Sequence, residues 1–177
     1  MPHTGEHHGQ GGGPLGSLLD WLCARLSRLG LHVCDARHLR RLRVGYATYR
    51  DADARLGTPH AIWPESDGGA TWEYSRQPQG TRCYMLRFDP AGVLRDVDQV
   101  LNAATMAEVR PGMSDAEVRR LLGTPARTLR YARKGESEWR WRIEDEPGED
   151  APVFFSVEFD DEMRVCRTGR HVERGGS

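Results

Sequence analysis

The sequence predicts an α+β fold made of two tandem helix-helix-strand-strand-strand repeats, with antiparallel sheets carrying helices on one face. Three observations predict it. The chain matches itself at offsets of 66, 67 and 71 residues along the segment from Asp35 to the end. Within each copy, apolar residues at helical spacing give way to strict apolar-polar alternation. Glycine, proline and aspartate mark the changes of element.

Composition fits such a fold. The chain has 177 residues, enough for one ordinary domain or two small ones. Charged residues make up 29% and apolar residues 38%, the balance of a globular protein rather than a disordered or membrane-spanning one. A formal net charge of -1 makes no general case for nucleic acid. Cys23, Cys34, Cys83 and Cys166 form no CxxC pair, which argues against a zinc site. An oxidising compartment would permit a Cys83–Cys166 disulfide.

The segment 1–34 divides in two. Met1 to Gly16 is rich in glycine and histidine without apolar periodicity, and reads as a disordered tail. From Leu15 to Cys34, leucines at 15, 18, 19, 22, 26 and 29 recur at helical spacing, with Arg25 and Arg28 opposite. Three readings are open: a helix covering the domain, an amphipathic helix on a membrane surface, or a degenerate signal-like segment. Asp20, Arg25, Arg28 and His32 interrupt the apolar run, so as written it makes a poor signal, and it is too polar to span a bilayer.

The first copy occupies 35–101 and the second 102–172. Asp35 and Asn102 stand as N-cap residues, and Leu39, Leu42 and Gly45 meet Met106, Val109 and Gly112. The second helix is clearest in copy two. Ser114 and Glu117 have capping-box spacing, Val118, Leu121 and Leu122 share a face, and Gly123 with Pro125 ends the helix. LGTP at 56–59 is its counterpart, and the changed offset reads as a second helix one residue shorter in copy two. The strands of copy one are expected near Thr71–Arg76, Arg82–Phe88 and Val93–Val97. Those of copy two are expected near Glu138–Glu144, Val153–Phe159 and Arg164–Thr168. Tyr84, Leu86 and Phe88 alternate with Cys83, Met85 and Arg87, and Phe155, Val157 and Phe159 repeat that pattern. Asp89 and Asp160 mark the turns that follow. Two packed copies sharing a six-stranded sheet would bury more core than either alone.

Candidate chemistry is sparse. No nucleophile elbow, zinc helix, phosphate loop or dinucleotide fingerprint occurs, so neither an enzyme nor a cofactor is expected. His60 follows Pro59 in a loop with no local cysteine or serine to activate. Glu144, Asp145, Glu146, Glu149 and Asp150 lack EF-hand spacing and read as a solvated loop, with no metal assigned. The aromatic pairs Trp72 with Tyr74 and Trp139 with Trp141 sit at i, i+2, so each pair shares one strand face. Two readings are open for them: core beneath the helices, or an exposed platform for a protein partner. Arg140 and Arg142 alternate with the tryptophans and join the candidate partner-binding set.

The pattern of glycine, capped helix ending LG-x-P, WxY or WxW strand, and apolar strand ending FD resembles the BamE/SmpA/OmlA family. In copy one it rests on Gly45, Leu56, Gly57, Pro59, Trp72, Tyr74, Phe88 and Asp89. In copy two it rests on Gly112, Val118, Leu122, Gly123, Pro125, Trp139, Trp141, Phe159 and Asp160. In tandem the fold is also similar to the β-lactamase inhibitor proteins. The first resemblance implies a non-enzymatic, periplasmic envelope protein, an outer-membrane assembly accessory or scaffold acting through protein contacts. It also implies a lipid anchor on a cysteine just before the folded part, a position Cys34 holds. The second implies an enzyme inhibitor. Usual members of the first family carry one copy, so no partner-binding residue is carried over.

Overall fold

The computed structural model describes residues 36–131, 135–144 and 151–173. The segment 1–34 with Cys34, the cap Asp35 and residues 145–150 of the acidic loop lie outside them. The described chain is α+β. Helices α1 (Ala36–Leu39) and α2 (Tyr49–Leu56) precede strands β1 (Ala61–Pro64), β2 (Ala70–Ser75), β3 (Cys83–Phe88) and β4 (Leu94–Gln99). Helices α3 (Ala103–Met106) and α4 (Asp115–Leu122) precede β5 (Arg127–Tyr131), β6 (Glu136–Ile143), β7 (Val153–Phe159) and β8 (Val165–Val172).

Each set of strands forms its own four-stranded antiparallel meander, in the orders β1-β2-β3-β4 and β5-β6-β7-β8. The expected shared six-stranded sheet is therefore replaced by two separate sheets of four. The added strands, β1 and β5, are short and lie at sheet edges. Ala61–Pro64 pairs with Ala70–Glu73, and Arg127–Tyr131 pairs with Glu136–Arg140.

Helix chemistry is local. Ser114 accepts from the Glu117 amide at 3.3 Å, and its own amide donates to Glu117 Oε2 at 2.7 Å. In α2, both the amide and the hydroxyl of Thr48 donate to Asp51 Oδ2 at 2.8 Å. α2 and α4 each have eight residues, so the expected shortening of the second helix does not occur. The extra residue of copy one lies before the cap, between Gly45 and Thr48, where copy two runs from Gly112 to Ser114. In this register Ala52 corresponds to Val118, and both are fully buried.

The aromatic pairs complete each helix-sheet layer. The Tyr74 hydroxyl donates to the Gly57 carbonyl at 3.0 Å, and Trp141 Nε1 donates to the Gly123 carbonyl at 3.0 Å. The last carbonyls of a helix have no intrahelical donor, so a buried helix stop needs one from elsewhere. Different side chains perform the same act in the two copies. Trp72 packs on Phe88 and stacks on Tyr49, while Trp139 packs on Phe159. Tyr74 and Trp141 are 1% and 0% exposed, and Trp72 and Trp139 are partly buried against the same clusters.

The layers are stacked. α1, the turn after it and α2 cover one face of the first sheet through Leu39, Leu42, Ala52 and Leu56 on Tyr74, Leu86 and Phe88. The expectation of helices on one face fails for this sheet, because α4 lies on the other. Cys83 and Met85 share a cluster with Val118, Leu122, Trp141 and Val157, so α4 is packed between the two sheets. Burying Val118 and Leu122 contributes about 1.5–3 kcal/mol each. Gly123, at φ 76°, brings its backbone against Cys83, where an added Cβ would stand 2.6 Å from Sγ. The Thr124 amide donates to Glu73 Oε1 at 2.7 Å, Arg120 pairs with Glu65 at 2.7 Å, and both Arg119 and Arg120 lie over the Trp63 ring.

A second joint closes the free edge of β6 beyond the end of β5. The Gln77 side chain donates through Nε2 to the Arg142 carbonyl at 2.7 Å and accepts at Oε1 from the Arg142 backbone amide at 3.0 Å, mimicking a neighbouring strand. Arg82 pairs with Glu144 at 2.8 Å beside it. Cys83 is sealed under Gly123 and Cys166 is exposed on β8, the outermost strand of the other sheet. No disulfide joins them, so the Cys83–Cys166 bridge that the sequence left open is not formed.

Two sets of variants test these joints. Tyr74→Phe leaves the Gly57 carbonyl without its donor and should lower stability by about 1–2 kcal/mol in urea unfolding. An unchanged midpoint would show that the hydrogen bond is dispensable. Gly123→Ala combines a left-handed backbone with overpacking and should cost at least about 2 kcal/mol. Gly45→Ala, at φ 84° but with no atom within 4 Å of its added Cβ, should cost less. Equal losses would contradict the close approach at Gly123.

Candidate functional site

α4 covers Cys83 and Met85 on the second face of the first sheet, whereas no helix among the described residues covers the corresponding face of the second sheet. Pairing register places Arg127, Leu129 and Tyr131 of β5 on it with Glu138, Arg140 and Arg142 of β6. Phe154, Ser156 and Glu158 of β7 follow, then Arg167, Gly169 and His171 of β8. The inner face holds Trp139, Trp141, Phe155, Val157 and Phe159 against α4.

Three kinds of contact organise the open face. Glu138 accepts from Arg140 Nε and Nη2 at 2.8 and 2.9 Å, and from the Tyr131 hydroxyl at 2.8 Å. These donors, Arg140 first, hold the Glu138 carboxyl below the ordinary glutamate range. The same bond pushes the Tyr131 hydroxyl up. Phe154 is stacked by His171, with ring centroids 5.8 Å apart, and the Arg127 guanidinium lies over the Phe154 ring at 5.4 Å from its centroid. Finally, Glu173 accepts from Arg127 Nη1 at 2.8 and 3.0 Å and lies 3.8 Å from Arg140 Nη1.

The sequence candidates separate on this geometry. The four aromatic side chains Trp72, Tyr74, Trp139 and Trp141 belong to the helix-facing core, which withdraws the exposed-platform reading for them. Arg140 lies on the open face. Arg142 shares its strand face by register, but its Nη1 donates to the Gln79 carbonyl at 3.1 Å, so its guanidinium serves the joint with the first sheet. His60 is exposed and accepts from the Ser75 amide at Nδ1, 3.2 Å away, which gives it a turn-holding contact. Cys34 lies outside the described residues. Among the described residues no group of three or more His, Cys, Asp or Glu side chains could hold a metal ion. No helix of the described residues is long and apolar enough to cross a membrane. Sequence reasoning missed Arg127, Tyr131, Phe154, His171 and Glu173. Alternation places Phe154 opposite Phe155, but only the pairing register adds β5 and β8.

No family model and no curated protein matches the chain. Among solved structures, it is similar to a protein assigned as the osmotically inducible lipoprotein OsmE. The identity is 30%, over 40% of this chain and 72% of that one, with a TM-score of 0.34. A DUF4309 family protein (YjgB) from Bacillus subtilis shows 11% identity over 89% of this chain and 97% of its own, with a TM-score of 0.30. A protein from Streptococcus mutans assigned as a β-lactamase inhibitor shows 12% identity over 86% and 96%, with a TM-score of 0.32. At these TM-scores no residue role passes to this chain.

The Glu138 network has a pH signature. A carboxyl held below its unfolded value stabilises the fold fully above the ordinary glutamate range, and that stabilisation is lost as pH falls through the folded value. Wild type should therefore lose stability more steeply than Glu138→Gln as pH drops below about 4.3. Parallel stability curves for the two proteins in that window would contradict the assigned contacts.

Proposed function

We propose that this chain is a non-enzymatic cell-envelope protein, built from two BamE-like repeats, which acts through protein contacts as a scaffold or outer-membrane assembly accessory. One observation carries the reading. On the first sheet α4 covers the second face over Cys83 and Met85, while the corresponding face of the second sheet carries a held array of arginine, glutamate, tyrosine and histidine side chains. Arginine and tyrosine are enriched at binding hot spots, and side chains fixed before binding lose little entropy when a partner arrives. The LG-x-P, WxY and WxW motifs support the family part of the reading. Periplasmic placement with a lipid anchor on Cys34 belongs to the same proposal.

Site-specific photocrosslinking in an envelope extract tests it. A crosslinker at Tyr131, which is 43% exposed on the open face, should capture a discrete protein partner. One at Ala54, on the exposed side of α2, should not. Fractionation with detergent and intact-mass analysis should find Cys34 acylated. Equal capture at both positions, or an unmodified protein in a cytosolic fraction, would overturn the reading. A hydrolase as the captured partner would point instead to an inhibitor of the β-lactamase inhibitor type.

A further inference from the structure

The open face contains a place already filled by a carboxylate of the chain itself. Arg127 from β5 and Arg140 from β6 are directly paired residues, and both guanidinium groups approach Glu173, the residue that follows β8. Their hold on it is uneven. Arg127 donates to both Glu173 oxygens, whereas Arg140 Nη1 stops at 3.8 Å, beyond hydrogen-bond distance. Arg140 is itself fixed. Its Nε and Nη2 are engaged by the 9% exposed side chain of Glu138, leaving Nη1 directed toward Glu173. Phe154, 4% exposed, lies beneath Arg127 and His171 beside the pair.

The corresponding place on the first sheet has the opposite chemistry. There Ala61 and Glu73 stand in register where the second sheet has Arg127 and Arg140. That face receives the end of α4, with Glu73 accepting the Thr124 amide and Cys83 abutting Gly123. A helix end offering a backbone donor suits a glutamate. Two arginines suit an acceptor of negative charge, and the planar guanidinium matches a carboxylate in particular.

We propose that Arg127 and Arg140 form a receptor for an acidic side chain of a protein partner, with Glu173 as the internal carboxylate that the partner displaces. This rests on the open face being the contact surface, and it names the partner's chemistry: an acidic peptide segment. Displacement exchanges one carboxylate for another, so the arginines are never left without a counter-charge. Glu173 follows the last paired residue of its sheet, and its side chain is about one-third exposed, so it can leave without unpairing β8.

The test uses the full chain and a defined probe, an acetylated and amidated Glu-Asp-Phe-Glu peptide, with Gln-Asn-Phe-Gln as the uncharged control. Arginine side-chain NMR signals and the His171 ring follow the titration. The acidic peptide should shift Arg127, Arg140 and His171 saturably, and added salt should weaken it. Glu173→Gln removes the competing carboxylate and should tighten binding about fivefold, the scale of one partly exposed ion pair. Arg127→Gln with Arg140→Gln should weaken it at least about tenfold. A circular-dichroism spectrum and urea midpoint for each variant separate lost binding from lost fold. No saturable shift in either wild type or Glu173→Gln, or equal shifts with the uncharged peptide, would overturn the receptor. If the Tyr131 crosslink captures a partner that the double arginine variant retains equally, the contact surface stands and the carboxylate receptor falls.

Discussion

The hydrogen bond from a buried aromatic side chain to the carbonyl of a helix-ending glycine is the contact on which the layering depends. Tyr74 makes it to Gly57 and Trp141 makes it to Gly123. It fixes where the helix stops over the sheet, satisfies a carbonyl that burial has separated from water, and fills the space beneath the helix with a large ring. In copy two it also determines what lies beyond. With its carbonyl held by Trp141 on one side, Gly123 presents its bare Cα to Cys83 on the other. Thr124 then donates to the fully buried Glu73. The glycine is thus a joint between two sheets as well as a helix stop.

This arrangement explains the asymmetry between the sheets. Each has an inner face under its own helices and a second face that follows from alternation. On the first sheet the second face carries Cys83 and Met85, which α4 covers, with Arg87, Asp96 and Asp98 exposed beside them. On the second sheet the corresponding positions carry Phe154 and Ser156, with arginine and glutamate around them, and no helix among the described residues covers them. Terminal layers of stacked repeats need such a polar outer face. A polar face assembled from fixed ion pairs is also suited to recognising a charged partner, and here solubility and recognition place the same demand on the same residues.

Much of the local structure was legible in the sequence. Capping at Ser114 and Glu117 depends on residues three apart, and the turns after Phe88 and Phe159 depend on an aspartate whose carboxylate meets an amide four residues on. β1 and β5 were not legible, because Ala61–Pro64 and Arg127–Tyr131 are short edge strands held by pairing rather than by their own alternation. The role of the aromatic pairs was undecidable from spacing, since i, i+2 places them on one face without saying which. The deciding partners, Gly57 and Gly123, lie 17 and 18 residues away. Arg140 and Arg142 have the same spacing but diverge because Gln77, 65 residues from Arg142, recruits that part of β6 into the joint. The open face was the least legible feature, being defined by where α4 packs.

The stacking of α4 on the first sheet is the central claim, and thiol labelling tests it most directly. Cys83 is fully buried beneath Gly123, whereas Cys166 is exposed on β8. Alkylation of the native protein, read by peptide mass spectrometry, should modify Cys166 promptly. Cys83 should react only at the rate allowed by unfolding, slowing as stabilising conditions suppress the unfolded population. Prompt labelling of Cys83 in the folded protein would mean that α4 does not cover that face. The first sheet would then be as open as the second.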